Sequence, residues 1–131
     1  MTSLLPDHFL RLMSAKDRRS IKQTTAAEAQ VKYDLRLERE DHRTFSKWCS
    51  LNGIYYLWSR TDKAVTIQVG HPDFSLFHKG LTLFIEFKRP GQKLSKEQEV
   101  ARDRLTTQHF DFLVCYSAEE AIKKARWFFA I

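Results

Sequence analysis

Residues 70–88 read Gly-His-Pro-Asp-Phe-Ser-Leu-Phe-His-Lys-Gly-Leu-Thr-Leu-Phe-Ile-Glu-Phe-Lys, two strand-like runs about a short turn. Asp73 to His78 and Leu81 to Lys88 are rich in aromatic and branched side chains, which suit a pleated, half-buried surface. Only Lys79 and Gly80 lie between them, so a two-residue hairpin with His78 facing Leu81 is expected. Lys-Gly is a weaker hairpin signal than Asn-Gly, which leaves a one-residue slip open. Without a slip, the same number of steps from the turn along each strand brings Asp73 opposite Glu86. Leu81, Leu83, Ile85 and Phe87 form one face of the second strand, and Thr82, Phe84, Glu86 and Lys88 the other. Lys88 then stands beside Glu86 on the face that carries Asp73.

Side chains directly opposed on one sheet face lie about 4.5–5.5 Å apart at Cβ, where like charges are destabilising unless something positive sits between them. Two carboxylates and an ammonium converging in this way suit metal-assisted phosphodiester hydrolysis. Hard oxygen ligands hold Mg²⁺, which takes one or two carboxylates and keeps several waters. The cation activates a water and offsets charge on the phosphate, while a lysine orients the nucleophile or stabilises the transition state. The plainer reading is a solvated strand face after a Pro-Asp turn.

Outward from the hairpin, Thr25-Ala-Ala-Glu28 has the form of a capping box and opens a helical pattern that runs to Gly53. One long helix, or two with a break near residue 37, both fit. Val31, Leu35, Glu38, His42, Phe45 and Cys49 share one stripe of this helix. Glu38 interrupts that stripe, where an ionised carboxylate is unfavourable unless paired or bound to metal. If the helix breaks first, Glu38 is an exposed first-turn acid favoured by the helix dipole; Glu40 points elsewhere. Ile54 to Arg60 reads as a strand, and Val65 to Val69 as possible extended structure in a loop. Ser95-Lys-Glu-Gln98 opens a helix to about His109, Phe112 to Tyr116 is a strand, and Ser117-Ala-Glu-Glu120 opens the last helix. The expected order is α-β-β-β-α-β-α, an α/β domain on a mixed sheet flanked by helices.

A chain of 131 residues suits one domain. Residues 1–24, with a short helix after Pro6 and a basic run, are expected to form an N-terminal extension, and 25–131 the domain. A net charge of +6 and a pI near 9.5 favour a polyanionic partner, although a solvated basic surface accounts for charge alone. Cys49 and Cys115 stand far apart, which argues against a structural zinc site and a disulfide framework and fits a reducing compartment. Pro6, Asp7 and His8 break the N-terminal apolar run, so no signal peptide is expected. No stretch approaches the roughly 18 apolar residues of a membrane span. An intracellular protein with neither membrane nor organic cofactor is expected.

Gly70-His-Pro-Asp73, Glu86-Phe-Lys88 and Leu94-Ser-Lys-Glu-Gln98 together resemble the virus-type replication-repair nuclease (VRR-NUC) domain of the PD-(D/E)XK superfamily. The resemblance covers residues 36 to 120. A bare P-D…E-x-K match arises often by chance; the spacing, the glycine before x-Pro-Asp and the Leu-Ser-x-x-Gln make it specific. It implies a restriction-endonuclease-like core and a Mg²⁺-dependent endodeoxyribonuclease, with Mn²⁺ able to substitute. Asp73, Glu86 and the backbone carbonyl of Phe87 would be metal ligands and Lys88 the catalytic lysine. Gln98 falls on the family's glutamine, with a role toward phosphate or the metal's water; the capping box with Ser95 explains it equally. Glu38 matches the family's helical acid by its distance from Gly53. His42 stands where many members have glutamine, which puts a role for that position in doubt.

Small stand-alone members resemble phage proteins that dimerise and cut branched DNA, as Holliday-junction resolvases do. The resemblance thus implies a homodimer on branched duplex, with the N-terminal extension as a possible dimer contact, in the cytoplasm of a bacterial host if phage-encoded. Fold analogy does not fix substrate. A catalytically silent DNA-binding module, and a nuclease on flapped or single-stranded nucleic acid, are the alternatives. Arg60, Lys63, His71, Arg89 and Lys93 are candidates for a phosphate-tracking surface, against a reading of scattered solvated charge. For His71 a loop histidine without function is the stronger reading. Trp48, Trp58 and Trp127 read as core or edge packing ahead of base-stacking platforms.

Overall fold

The computed structural model describes residues 25–59 and 68–131. Its elements follow the order α1 (Ala26–Leu51), β1 (Tyr55–Trp58), β2 (Phe74–His78), β3 (Leu81–Phe87), α2 (Lys96–Thr107), β4 (Asp111–Cys115) and α3 (Ala118–Phe129). This is the expected α-β-β-β-α-β-α succession. The chain divides into two compact units, Met1–Leu37 and Glu38–Ile131. The expected helix after Pro6, Arg60, Lys63 and most of the Val65 to Val69 segment lie outside the described residues.

α1 is one continuous helix. At its start Thr25 Oγ1 accepts from the Glu28 N–H, and Glu28 Oε2 accepts from the Thr25 N–H, so two otherwise unpaired donors are satisfied. The shared stripe is buried only toward its C-terminal end. Phe45 and Cys49 are fully enclosed, whereas Val31 and Leu35 are 58% and 49% exposed.

The sheet order is β1-β2-β3-β4, antiparallel between β1 and β2 and between β2 and β3, and parallel between β3 and β4. His78 faces Leu81 and Phe74 faces Ile85, so the hairpin takes its register without a slip. Lys79 and Gly80 have φ of 50° and 76°. Positive φ at both central positions matches a type I′ turn, whose twist suits the flanking strands; lysine is tolerated where asparagine is usual.

Phe74, Leu76, Leu83, Ile85 and Phe87 meet Phe45 and Cys49 of α1 and Ala121, Ala125 and Phe129 of α3 in one core. Phe45 packs edge-on against Phe74 and Phe87, with centroids 5.0 and 5.7 Å away. Asp41 ties three elements together. Its Oδ2 accepts from Arg89 at 3.1 Å, its Oδ1 accepts from the Ala118 N–H at 3.0 Å, and Arg89 also donates to the Tyr116 carbonyl. A carboxylate at the free N–H groups of α3 is favourable by hydrogen bonding and by the helix dipole. Among the described residues, no helix is long and apolar enough to cross a membrane.

Gly70 sets where the loop before Asp73 lies. Its φ is +89°, and a Cβ there would stand 2.4 Å from the Glu97 carbonyl carbon and oxygen in the first turn of α2. Backbone gives way poorly to such a clash. Gly70→Ala is therefore expected to destabilise by about 2–4 kcal/mol, from left-handed strain plus overpacking. Urea unfolding checks this, and a midpoint equal to wild type would contradict the close approach.

Candidate active site

At the open end of the hairpin the Glu86 carboxylate takes the Asp73 backbone N–H, and the Asp73 carboxylate takes that of Phe87, next to Glu86. Asp73 Oδ2 accepts from the Phe87 N–H at 2.8 Å, and the Asp73 N–H donates to Glu86 Oε2 at 3.2 Å. The register carries Asp73 and Glu86 to this place, one step beyond the Phe74–Ile85 pair. Glu86 Oε1 accepts from the Gln98 side-chain amide at 2.9 Å. Gln98 also completes the capping box of α2, its Oε1 accepting from the Ser95 N–H and its own N–H donating to Ser95 Oγ. The capping box is thus present, and the same side chain also reaches Glu86.

α1 brings the remaining groups. Glu38 and His42 are four residues apart and therefore share a helix face. Ligating atoms of Glu38, His42 and Asp73 all lie within 4.8 Å of one another. Among the described residues Asp73 thus clusters with Glu38 and His42, and its N–H reaches Glu86. His42 Nε2 is 3.5 Å from Asp73 Oδ2, and its Nδ1 accepts from the Trp58 indole N–H at 3.2 Å. The ring is enclosed by Trp58, Phe74 and Phe87.

The charges in this site repel. Glu86 is 3% exposed, and burial, reinforced by the Asp73 charge, holds its carboxyl well above the usual carboxylate range against the pull of Lys88. Burial likewise raises Glu38, with Asp73 adding to the effect and His42, Lys88 and Arg89 opposing it. The ammonium of Lys88 therefore acts on both Glu38 and Glu86. A set dominated by carboxylate oxygens, with the Glu38 and Glu86 carboxyls raised by burial first and by the Asp73 charge second, fits a hard divalent cation.

The other expected site residues make contacts of their own within the fold. His71 Nε2 lies 3.1 Å from Ser75 Oγ and the ring packs edge-on against Phe84; burial lowers its pKa. Arg89 is engaged by Asp41 and Tyr116 within the fold. Lys93 is exposed on the loop before α2. Phe87 meets Asp73 through its N–H. Trp48 is in the core and Trp58 stacks on Phe74, whereas Trp127 is 86% exposed and departs from the packing expected of it. His42 is the residue that sequence reasoning undervalued. The signal that points to it is the four-residue spacing from Glu38 on the stripe that leads to Phe45.

The model of the VRR-NUC domain family matches residues 15–119, a span that contains Glu38, His42, Asp73, Glu86, Lys88 and Gln98. No curated protein and no solved structure matches the chain significantly. The family is one of nucleases, and the acidic cluster fits a divalent metal site.

These carboxyls make the fold sensitive to pH. Glu86 keeps its proton in the folded state at pH values where the unfolded chain, with its ordinary value of 4.5, has released it. Stability without metal is thus full below that value and falls as pH rises toward the raised folded pKa. The slope for one retained proton approaches about 1.4 kcal/mol per pH unit. Urea unfolding in chelator from about pH 4 to 8 is expected to show this decline, Glu86→Gln to flatten it, and Mg²⁺ to oppose it. Stability that rises with pH across this range in chelator would contradict the raised carboxyl.

Proposed function

Because this chain belongs to the VRR-NUC domain family, we propose that it is a Mg²⁺-dependent endodeoxyribonuclease acting on branched DNA. The observation that carries the reading is the convergence of Glu38, Asp73 and Glu86 with Lys88 at one end of the sheet. Asp73, Glu38 and Glu86, with the Phe87 carbonyl, would hold the cation. Once bound, a divalent cation lowers the pKa of a coordinated water and offsets charge on the scissile phosphate.

The protein's own groups have separate tasks. Hydrolysis forms a bond from a water oxygen to phosphorus as the ester P–O bond breaks, and negative charge grows on the phosphate oxygens. The Lys88 ammonium, close enough to lower the carboxyls of Glu38 and Glu86, is placed to orient that water or to stabilise that charge. Gln98 fixes one oxygen of Glu86, and the Phe87 N–H fixes one oxygen of Asp73, so both carboxylates are held in place before substrate arrives. The basic balance of the chain favours a phosphate backbone as partner. A homodimer would present two such sites to one junction. A phage setting, and hence a bacterial cytoplasm, belongs to the same reading.

A labelled four-way junction and a matched linear duplex, each with Mg²⁺, Mn²⁺, Ca²⁺ or EDTA, test it. Junction-selective cutting in Mg²⁺ or Mn²⁺ is expected, lost in EDTA and reduced by about 100-fold or more in Lys88→Ala. Asp73→Ala and Glu86→Ala are expected to abolish cutting while DNA is still bound. Salt-sensitive binding with no cutting under any ion would instead identify a silent DNA-binding module. Preference for flapped or single-stranded substrate would replace the branched target.

A further inference from the structure

The cluster of Glu38, His42 and Asp73 has the composition of a three-ligand metal site, yet the hydrogen bonding around His42 assigns the ring a different task. Trp58 stacks on Phe74 and directs its indole N–H at His42 Nδ1, 3.2 Å away. An indole nitrogen can only donate. Nδ1 must therefore offer its lone pair, and in a neutral imidazole the proton then resides on Nε2. A ring protonated at Nε2 has no lone pair there for a cation. Ligation through Nε2 would need the proton on Nδ1, facing the indole N–H donor to donor.

The surroundings of Nε2 agree. It is buried, no hydrogen-bond partner within ordinary limits reaches it, and Asp73 Oδ2 lies 3.5 Å away with Glu38 close by. Facing two carboxylates, an N–H is attractive and a lone pair repulsive. Asp73 Oδ2 also accepts from the Phe87 N–H. A second donor on Oδ2 would turn Oδ1 outward as the oxygen available to a hard cation, and Mg²⁺ prefers oxygen to imidazole nitrogen.

We infer that His42 is a positioning residue that holds Asp73 through Nε2–H, with Trp58 fixing the tautomer, and that it is not a metal ligand. This rests on the cation site proposed above. Through Trp58, His42 and Asp73 a half-buried aromatic sets the orientation of the carboxylate that meets the cation.

Long-range ¹H–¹⁵N NMR of the imidazole at about pH 8, above the ordinary histidine range, reads the tautomer directly. The expected result for the full chain is protonated Nε2 and unprotonated Nδ1 without metal, unchanged when Mg²⁺ binds. Trp58→Phe keeps an aromatic ring against Phe74 but removes the donor. It is expected to give a mixed tautomer and about a ten-fold loss of cleavage or Mg²⁺ affinity, with His42→Ala losing more, up to about 100-fold. His42→Gln, whose amide N–H can replace Nε2–H, is expected to recover most of that loss. A proton on Nδ1 in the metal-free protein, or its transfer there on Mg²⁺ addition, would overturn the inference. If Mg²⁺ moves neither the Asp73 nor the Glu86 carboxyl resonance, the cation reading fails, and the metal-free tautomer still decides the bond between His42 and Asp73.

Discussion

The reciprocal clasp between Asp73 and Glu86 is the constraint on which the site depends. Each carboxylate satisfies a backbone N–H near the other, so neither can move without exposing an unpaired donor. The arrangement is locally well bonded and electrostatically unfavourable at once. Burial and the neighbouring Asp73 charge hold the Glu86 carboxyl high, against the pull of Lys88 and of the Asp73 backbone N–H. A fold that accepts such a concentration of acids gives up stability at neutral pH for a site ready to receive positive charge.

The clasp is held open to α1 by packing. Phe45 and Cys49 anchor the helix in the same core as Phe74 and Phe87, the immediate neighbours of Asp73 and Glu86. From that anchor, helical geometry alone carries His42 and Glu38 along the same face to the end of the strands. Asp41, next to His42, reaches to Arg89 and to the start of α3, which fixes the rotation of the helix. Glu38, His42 and Glu86 thus sit on a helix and a strand, which hold a constellation more closely than loops do.

α2 joins the site with almost no core of its own, since none of its residues is buried. The Ser95–Gln98 capping box orders its first turn, and the same Gln98 side chain reaches Glu86. Gly70 lets the loop before Asp73 pass against that turn. Helix start, loop and strand end therefore meet through one glycine and one glutamine, which explains why a sequence motif spread over residues 70–98 acts as a single structural unit.

Much of this was legible in the sequence because it depends on local chemistry. Period-two alternation and a two-residue turn determine which residues face each other, so the pairing of Asp73 with Glu86 needed no knowledge of the rest of the chain. The three cap patterns likewise marked helix starts from neighbours in sequence; the last differs only in that Glu120 reaches the Tyr116 N–H. What lay beyond reach depends on contacts between residues distant in sequence. The spacing that joined Val31 to Cys49 could not show that burial stops short of Leu35, because apolar periodicity reports a face and not what covers it. Arg89 reads as a candidate for phosphate, and only the fold shows that Asp41, 48 positions away, also engages it. His42 took its meaning from Trp58 and Asp73, 16 residues from the first and on a different element from both. Local patterns determined the elements and the acidic pair; only tertiary packing decided which charged groups are engaged inside the fold and which face the site.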